Sequence, residues 1–215
     1  MIETASGIIL RTRPLTETSL IVHWLTRDKG RVATVAKGAR RPKSPFLGKL
    51  DLFYRAEFSF DRSRRSDLHT LREVNLFETH AAIRDDIEKL QQAAYAVAFI
   101  EQTTESETPL PEIHELLEGF LDWLCPNQTQ MQNILILELK LLQALGMEPD
   151  LDQTTLTAGA RKVANALLES RWTDSSRLKL SQAQSKELSQ WLHGFLIFHL
   201  GRLPHGRNLA LGSIG

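Results

Sequence analysis

A single cysteine, Cys125, stands in a chain of 215 residues. One thiol builds neither an intrachain disulfide framework nor a cysteine-based zinc site. It lies in the apolar stretch Phe120-Leu121-Asp122-Trp123-Leu124-Cys125, and no His and Asn/Asp stand near it in a nucleophile pattern, so it reads as a buried structural thiol. Long hydrophobic runs are missing too: no window approaches the roughly 18 apolar residues of a membrane span. The opening Met1-Ile2-Glu3-Thr4 lacks the basic start and apolar run of a secretion signal. These features point to a reducing, cytoplasmic setting and no membrane. There is no internal repeat and no low-complexity tract. The composition, 42% hydrophobic and 24% charged, is that of an ordinary globular chain long enough for two modest domains or one large one.

Net charge is the other absence, with 26 Lys/Arg against 26 Asp/Glu. The zero is a cancellation. Up to His80 there are 15 basic and 9 acidic residues, and beyond it 11 and 17, so the halves carry +6 and −6. Such asymmetry is what a basic domain that meets a polyanion, joined to a half with another task, would show.

Residues 5–77 read as five short strands separated by turn residues. Gly7–Arg13 is apolar with Arg11 and Arg13 on one face, and Ser19–Thr26 is a β-branched and aromatic run. Asp28-Lys29-Gly30 supplies a turn before an alternating Arg31–Lys37. Tyr54–Phe60 alternates again, and Leu68–Phe77 closes the set. Five strands with a long third-to-fourth connection suit a small OB-type Greek-key barrel. From Ala81 the period turns helical. Ile83, Ile87, Leu90, Ala94, Val97 and Ala98 form one stripe, and Ile134, Leu137, Leu141, Leu142 and Leu145 another. Pro109, Pro111 and Pro126-Asn127 separate a helix over 112–124 from its neighbours; a third helix ends at Gly146, and two more are predicted over 158–171 and 181–201. Residues 148–155 and 173–179 read as loops. The expected class is therefore β then α: an OB-fold nucleic-acid-binding domain over 1–79 and an all-helical domain over 80–215.

The third-to-fourth connection, Lys37-Gly38-Ala39-Arg40-Arg41-Pro42-Lys43-Ser44-Pro45-Phe46-Leu47-Gly48-Lys49, has five basic residues and no acidic one. Its two prolines and two glycines oppose a continuous strand or helix, so the cations sit on an exposed loop. Each Lys or Arg that displaces condensed counterions from a phosphate backbone contributes binding free energy without reading sequence. A nucleotide-cradling loop is excluded at Pro42, which stands before Lys43-Ser44 where the phosphate-loop pattern needs a glycine N–H. Phe46 is either a base-stacking ring or an apolar plug under the barrel, and Trp24 reads as core rather than a stacking platform. Arg62, Arg64 and Arg65, in the turn between the last two strands, either extend the basic path or keep the turn soluble. Arg11, Arg13, Arg31, Lys37, Arg40, Arg41, Lys43, Lys49, Arg62, Arg64 and Arg65 are the candidate nucleic-acid-contacting set. The chain has seven histidines; His193, His199 and His205 are spaced by six, which sets the first two about 240° apart on a helix and argues against a metal site.

Gly7–Val22, Thr26-Arg27-Asp28-Lys29-Gly30-Arg31 and Ala36–Ser44 closely resemble the N-terminal domain of the bacterial RecO family of recombination mediators, and Leu68-His69-Thr70-Leu71 is similar as well. Glu138–Leu151 resembles the family's helical part more loosely. The resemblance implies an OB fold followed by helices, binding of single- and double-stranded DNA by the basic candidates from Arg11 to Arg65, annealing of complementary strands, and work with RecR to load RecA onto strands coated by single-strand-binding protein. It implies no catalysis and no cofactor. Many relatives carry a four-cysteine zinc module where this chain has Asp152-Gln153-Thr154-Thr155-Leu156-Thr157, so that module is absent. The resemblance further implies that the helical half takes the acidic, hydrophobic tail of single-strand-binding protein, for which Leu139, Leu142, Phe195 and Phe198 are the apolar candidates. Lys140, Arg161, Lys162, Arg202 and Arg207 are the candidate cations for its carboxylate. Two other classes compete. An RNA-binding OB protein uses the same barrel and loop, whereas a nuclease wants clustered carboxylates, and Asp51, Asp61 and Asp67 are scattered.

Overall fold

A computed structural model describes residues 1–212, the side chains of 175–177 aside. Five strands, β1 (Ile2–Pro14), β2 (Leu20–Thr26), β3 (Gly30–Ala36), β4 (Arg55–Asp61) and β5 (Leu68–Glu78), close into a barrel in the order β1-β2-β3-β5-β4. Every pairing is antiparallel except β3 with β5. β1 is long enough to pair with both β2 and β4, and a register shift between Ile9 and Arg11 bends it from one partner to the other. The five-strand OB-type barrel predicted from the alternation is what the chain forms.

Strict alternation in β3 and β4 sends Val32, Thr34, Ala36, Ala56, Phe58 and Phe60 inward. Trp24 lies among them, stacked on Phe58 at 4.0 Å between ring centroids, and its indole N–H donates to the Thr34 hydroxyl at 2.9 Å. A buried tryptophan needs such a partner. The β2–β3 turn is closed by Thr26, whose hydroxyl donates to the Gly30 carbonyl and accepts from the Lys29 amide.

In the helical part, α1 (Ala81–Arg84) and α2 (Ile87–Thr103) stand where one continuous stripe was predicted. The break has a local cause: the Asp86 carboxylate accepts from the amides of Glu88 and Lys89 and caps α2. α3 (Pro111–Leu124) and α4 (Met131–Ala144) follow, then α5 (Ala158–Glu169), α6 (Gln182–Leu200) and α7 (Arg207–Leu211). Short 3-10 turns occupy Leu151–Gln153, inside the first predicted loop, and Trp172–Arg177, which starts one residue ahead of the second. α4 is buried nearly all round, the mark of a central helix. It ends where the sequence predicts, through a Schellman pair in which Gly146 (φ 71°) and Met147 donate to Gln143 and Leu142. Cys125 is half-buried rather than fully packed away.

The chain divides into two compact units, but not by one cut. The first comprises residues 1–81 with 104–118, the second residues 82–103 with 119 onward. The expected boundary near residue 80 therefore leaves out a second segment of the barrel unit, 104–118, which ion pairs hold there: Arg27 with Glu115, and Arg55 with Glu118. Of the last ten residues, which carry no sequence pattern, 213–215 lie outside the described part.

Candidate nucleic-acid interface

The β3–β4 connection is a succession of tight turns. Arg41, Ser44, Leu47 and Lys49 each donate a backbone N–H to the carbonyl three residues earlier. The loop is held to the β1–β2 connection by the Arg40 amide, which donates to the Thr18 carbonyl at 3.0 Å. Gly38, at φ 68°, permits the first bend. This scaffold leaves Lys37, Arg40, Arg41 and Lys43 exposed, and among the described residues none of the four is in an ion pair.

Two members of the predicted loop set behave otherwise. Phe46 is 6% exposed and packs in the barrel core with Trp24, Phe58 and Phe60. The base-stacking role is corrected: a ring whose faces are covered by core side chains offers none to a base. The Lys49 ammonium is half-buried and donates to the Val74 carbonyl at 3.1 Å, which ties the end of the loop to β5.

The strand cations divide in the same way. Arg11 faces His23 across the β1–β2 ladder, and Arg13 lies further along the same exposed face. Burial first, then Arg11, Arg13 and Arg31, push the His23 imidazole down to about 4. It is therefore neutral at physiological pH, and its Nε2 has no hydrogen-bond partner among the described residues. Arg31 donates to the Thr104 carbonyl at 2.5 Å. In the β4–β5 turn, Arg62 is ion-paired with Glu107 at 2.5 Å and Glu3 at 3.5 Å, whereas Arg64 and Arg65 are exposed with no ion pair among the described residues. Sequence alone did not mark Glu107, Glu3 or His69, because their partners are distant along the chain.

The predicted partner-binding residues of the helical unit are brought together only in part. Leu139 and Leu142 are fully buried in α4; their role as contact residues is corrected, since a docked tail does not reach a sealed core. Lys140 donates to the Leu168 carbonyl at 2.7 Å, and burial lowers its pKa. Arg207 is buried too, in a double hydrogen bond to Glu138 at 2.6 and 2.8 Å, with the Tyr95 hydroxyl donating to the same carboxylate. Glu138 and Tyr95 were not anticipated, because a Glu inside a leucine-rich stripe looks solvated until its partner is seen. Arg161 and Lys162 lie in α5. Arg202 is exposed just past α6, and on that helix Phe198 is 83% exposed while Phe195 is half-buried beside Trp191.

Among the described residues no helix is long and apolar enough to cross a membrane. Residues 1–80 match the family described as "Recombination protein O N terminal", and residues 84–158 match "Recombination protein O C terminal". Proteins named DNA repair protein RecO are similar along much of the chain. The Bacillus pumilus protein is 33% identical over 153 residues, covering 71% of this chain and 59% of the relative. The Exiguobacterium sibiricum protein is 31% identical over 160 residues, covering 73% and 62%. A Listeria monocytogenes protein is 28% identical over 207 residues, covering 94% and 80%. The first two matches thus span about three fifths of those relatives' length. With a closed five-strand barrel carrying a basic loop, a helical unit after it, and both family descriptions matched in order, the chain belongs to the RecO family of DNA repair proteins.

Proposed function

We propose that this protein is a non-catalytic recombination mediator that binds single- and double-stranded DNA and anneals complementary strands. In this reading it acts with RecR to help load RecA onto strands coated by single-strand-binding protein. The observation that carries the DNA-binding part is the set of four cations on the β3–β4 loop, Lys37, Arg40, Arg41 and Lys43, exposed and without ion pairs among the described residues. Four other barrel arginines are already committed: Arg27, Arg55, Arg62 and Arg72 each face a carboxylate. A cation outside any ion pair meets a phosphate without first giving up a carboxylate, and each such meeting releases counterions; Arg40 gives up only a long bond to the Thr16 carbonyl at 3.5 Å. Arg13, Arg64 and Arg65 continue the set. Family membership supports the repair role, and the tail of single-strand-binding protein is proposed to dock on the α6 surface bearing Phe198, with Arg202 near its carboxylate.

The test is a salt titration of single-stranded DNA binding by the intact chain and by an Arg40→Ala/Arg41→Ala variant. Two lost phosphate contacts should flatten the logarithmic salt slope by about 0.7 each, equally for every sequence. A sequence-dependent loss, or an unchanged slope, overturns the assignment. Running RNA of the same sequence beside the DNA separates this reading from that of an RNA-binding barrel.

A further inference from the structure

At the β4–β5 turn the barrel unit carries an open pocket of about 230 Å³ lined by Arg62, Ser63, Arg64, Arg65, His69 and Glu107, among others. Only Glu107 among these six comes from outside the turn and its strands; it arrives on the connection between α2 and α3. That connection is fastened to the barrel along its length. Ser106 bridges to Arg31 of β3, the Glu107 amide donates to the Arg31 carbonyl at 2.9 Å, and the Arg31 guanidinium donates to the Thr104 carbonyl. Gly30 lies so close to Thr108 that any Cβ at position 30 would run into the Thr108 backbone.

The Glu107 carboxylate is held at both oxygens, by Arg62 at 2.5 Å and by His69 Nε2 at 2.7 Å. His69 is prepared for this. Its ring is buried and stacked on Phe60, and its Nδ1 accepts from the Ser63 amide at 3.3 Å, so Nε2 carries the proton and donates. Glu107 itself sits at φ 55°, in the left-handed region that a side-chain-bearing residue occupies only when its surroundings hold it there. Arg64 and Arg65 stand at the rim with no ion pair among the described residues.

We propose that this pocket is a seat for one phosphate of a bound nucleic-acid strand and that Glu107 is its built-in competitor. A phosphodiester offers two anionic oxygens, as a carboxylate does, and the same two donors, Arg62 and His69 Nε2, serve either. With Glu107 in place, a strand engages the β3–β4 loop but must displace an internal anion to engage the β4–β5 turn. The competitor therefore lowers affinity for any polyanion and restricts full engagement to strands that already hold the loop. This inference rests on the DNA-binding reading above, and its test is arranged so that the two fail separately.

The intact chain, Glu107→Gln and Glu105→Gln are compared. The last removes the same charge from an exposed neighbour that has no part in the pocket. Two readouts are taken: the salt slope for single-stranded DNA, and the shift in melting temperature with inorganic phosphate. Glu107→Gln should bind DNA several-fold tighter, steepen the slope by about 0.7, and gain melting temperature with phosphate, whereas Glu105→Gln matches the parent. Adding Arg62→Ala should cancel the gain. Equal slopes and equal phosphate shifts for Glu107→Gln and the parent overturn the proposal, as do equal effects from Glu105→Gln, which would reduce the effect to overall charge. If no protein binds DNA but phosphate still stabilises Glu107→Gln alone, the pocket stands and the DNA reading falls. Should Glu107→Gln lower the melting temperature of the free chain too far for assay, Glu107→Asp, which withdraws the carboxylate by one methylene, takes its place with the same expectations.

Discussion

The same side-chain chemistry divides into different roles according to what each residue touches. Phe46 sits in the basic run beside four exposed cations, yet it is the plug of the barrel. Phe46→Ala should cost about 3–5 kcal/mol of stability, as other large-to-small core changes do, and Phe46→Leu should retain most of it with the salt slope for DNA unchanged. A Phe46→Leu protein of full stability but weakened DNA binding would restore the stacking role. His23 makes a second residue-scale case. Its folded pKa of about 4 lies below the ordinary 6.5, so between those values the unfolded chain holds a proton that the native one does not. Stability therefore rises with pH across that window, is fully present above 6.5, and is lost as pH falls toward 4. Denaturant unfolding at pH 7 and pH 5 should show the parent losing more stability than His23→Gln; equal losses would refute the burial and arginine effects on this ring.

At the scale of elements, close approaches and caps decide how segments attach. Gly30 ends the β2–β3 turn at φ 65° with the Thr108 backbone against it. Gly30→Ala combines a strained φ with a backbone collision and should cost more than about 1 kcal/mol. Hydrogen exchange on 104–110 should quicken more than in the rest of the barrel unit, and uniform exchange would show that the approach holds nothing. In the helical unit, the Glu138–Arg207 pair fastens the short α7 to the central α4. Removing one partner of a buried pair strands the other charge, so Glu138→Ala should destabilise by about 3–5 kcal/mol. Replacing both with apolar residues of similar volume should recover much of that loss, and thermal melts of the three proteins decide it. The helix ends, by contrast, rest on short-range chemistry: Ser181 and Gln184 form a reciprocal capping box for α6, and Gly201 in the left-handed region closes it.

Over the whole molecule charge is segregated, with six net positive charges up to His80 and six net negative after it. With no phosphate-loop glycine before Lys43 and one cysteine in the chain, the purified protein should anneal complementary strands without nucleotide and hold no stoichiometric zinc. Annealing that needs ATP, or metal analysis giving about one zinc per chain, would contradict this. A peptide ending in an acidic, aromatic tail should bind the intact chain weakly and with salt sensitivity, and Phe198→Ala should abolish that binding; a variant that binds as the parent does would move the docking site elsewhere.

Local signals were enough for the five strands, the helical remainder, the helix end at Gly146, the basic loop 37–49 and the family resemblance, because each is written in neighbours a few residues apart. The break before α2 was hidden, since a capping Asp86 interrupts a stripe whose apolar spacing continues past it. What only tertiary structure decided was which cations remain available. Arg31, Lys49, Arg62 and Arg207 look like Arg41 and Lys43 in sequence, but each meets a carbonyl or carboxylate from a distant part of the chain. Likewise Leu139, Leu142 and Phe46 are apolar residues whose exposure depends on what packs over them. Periodicity records which side of an element is apolar; it does not record what a distant segment, closing a barrel or covering a turn, brings against that side.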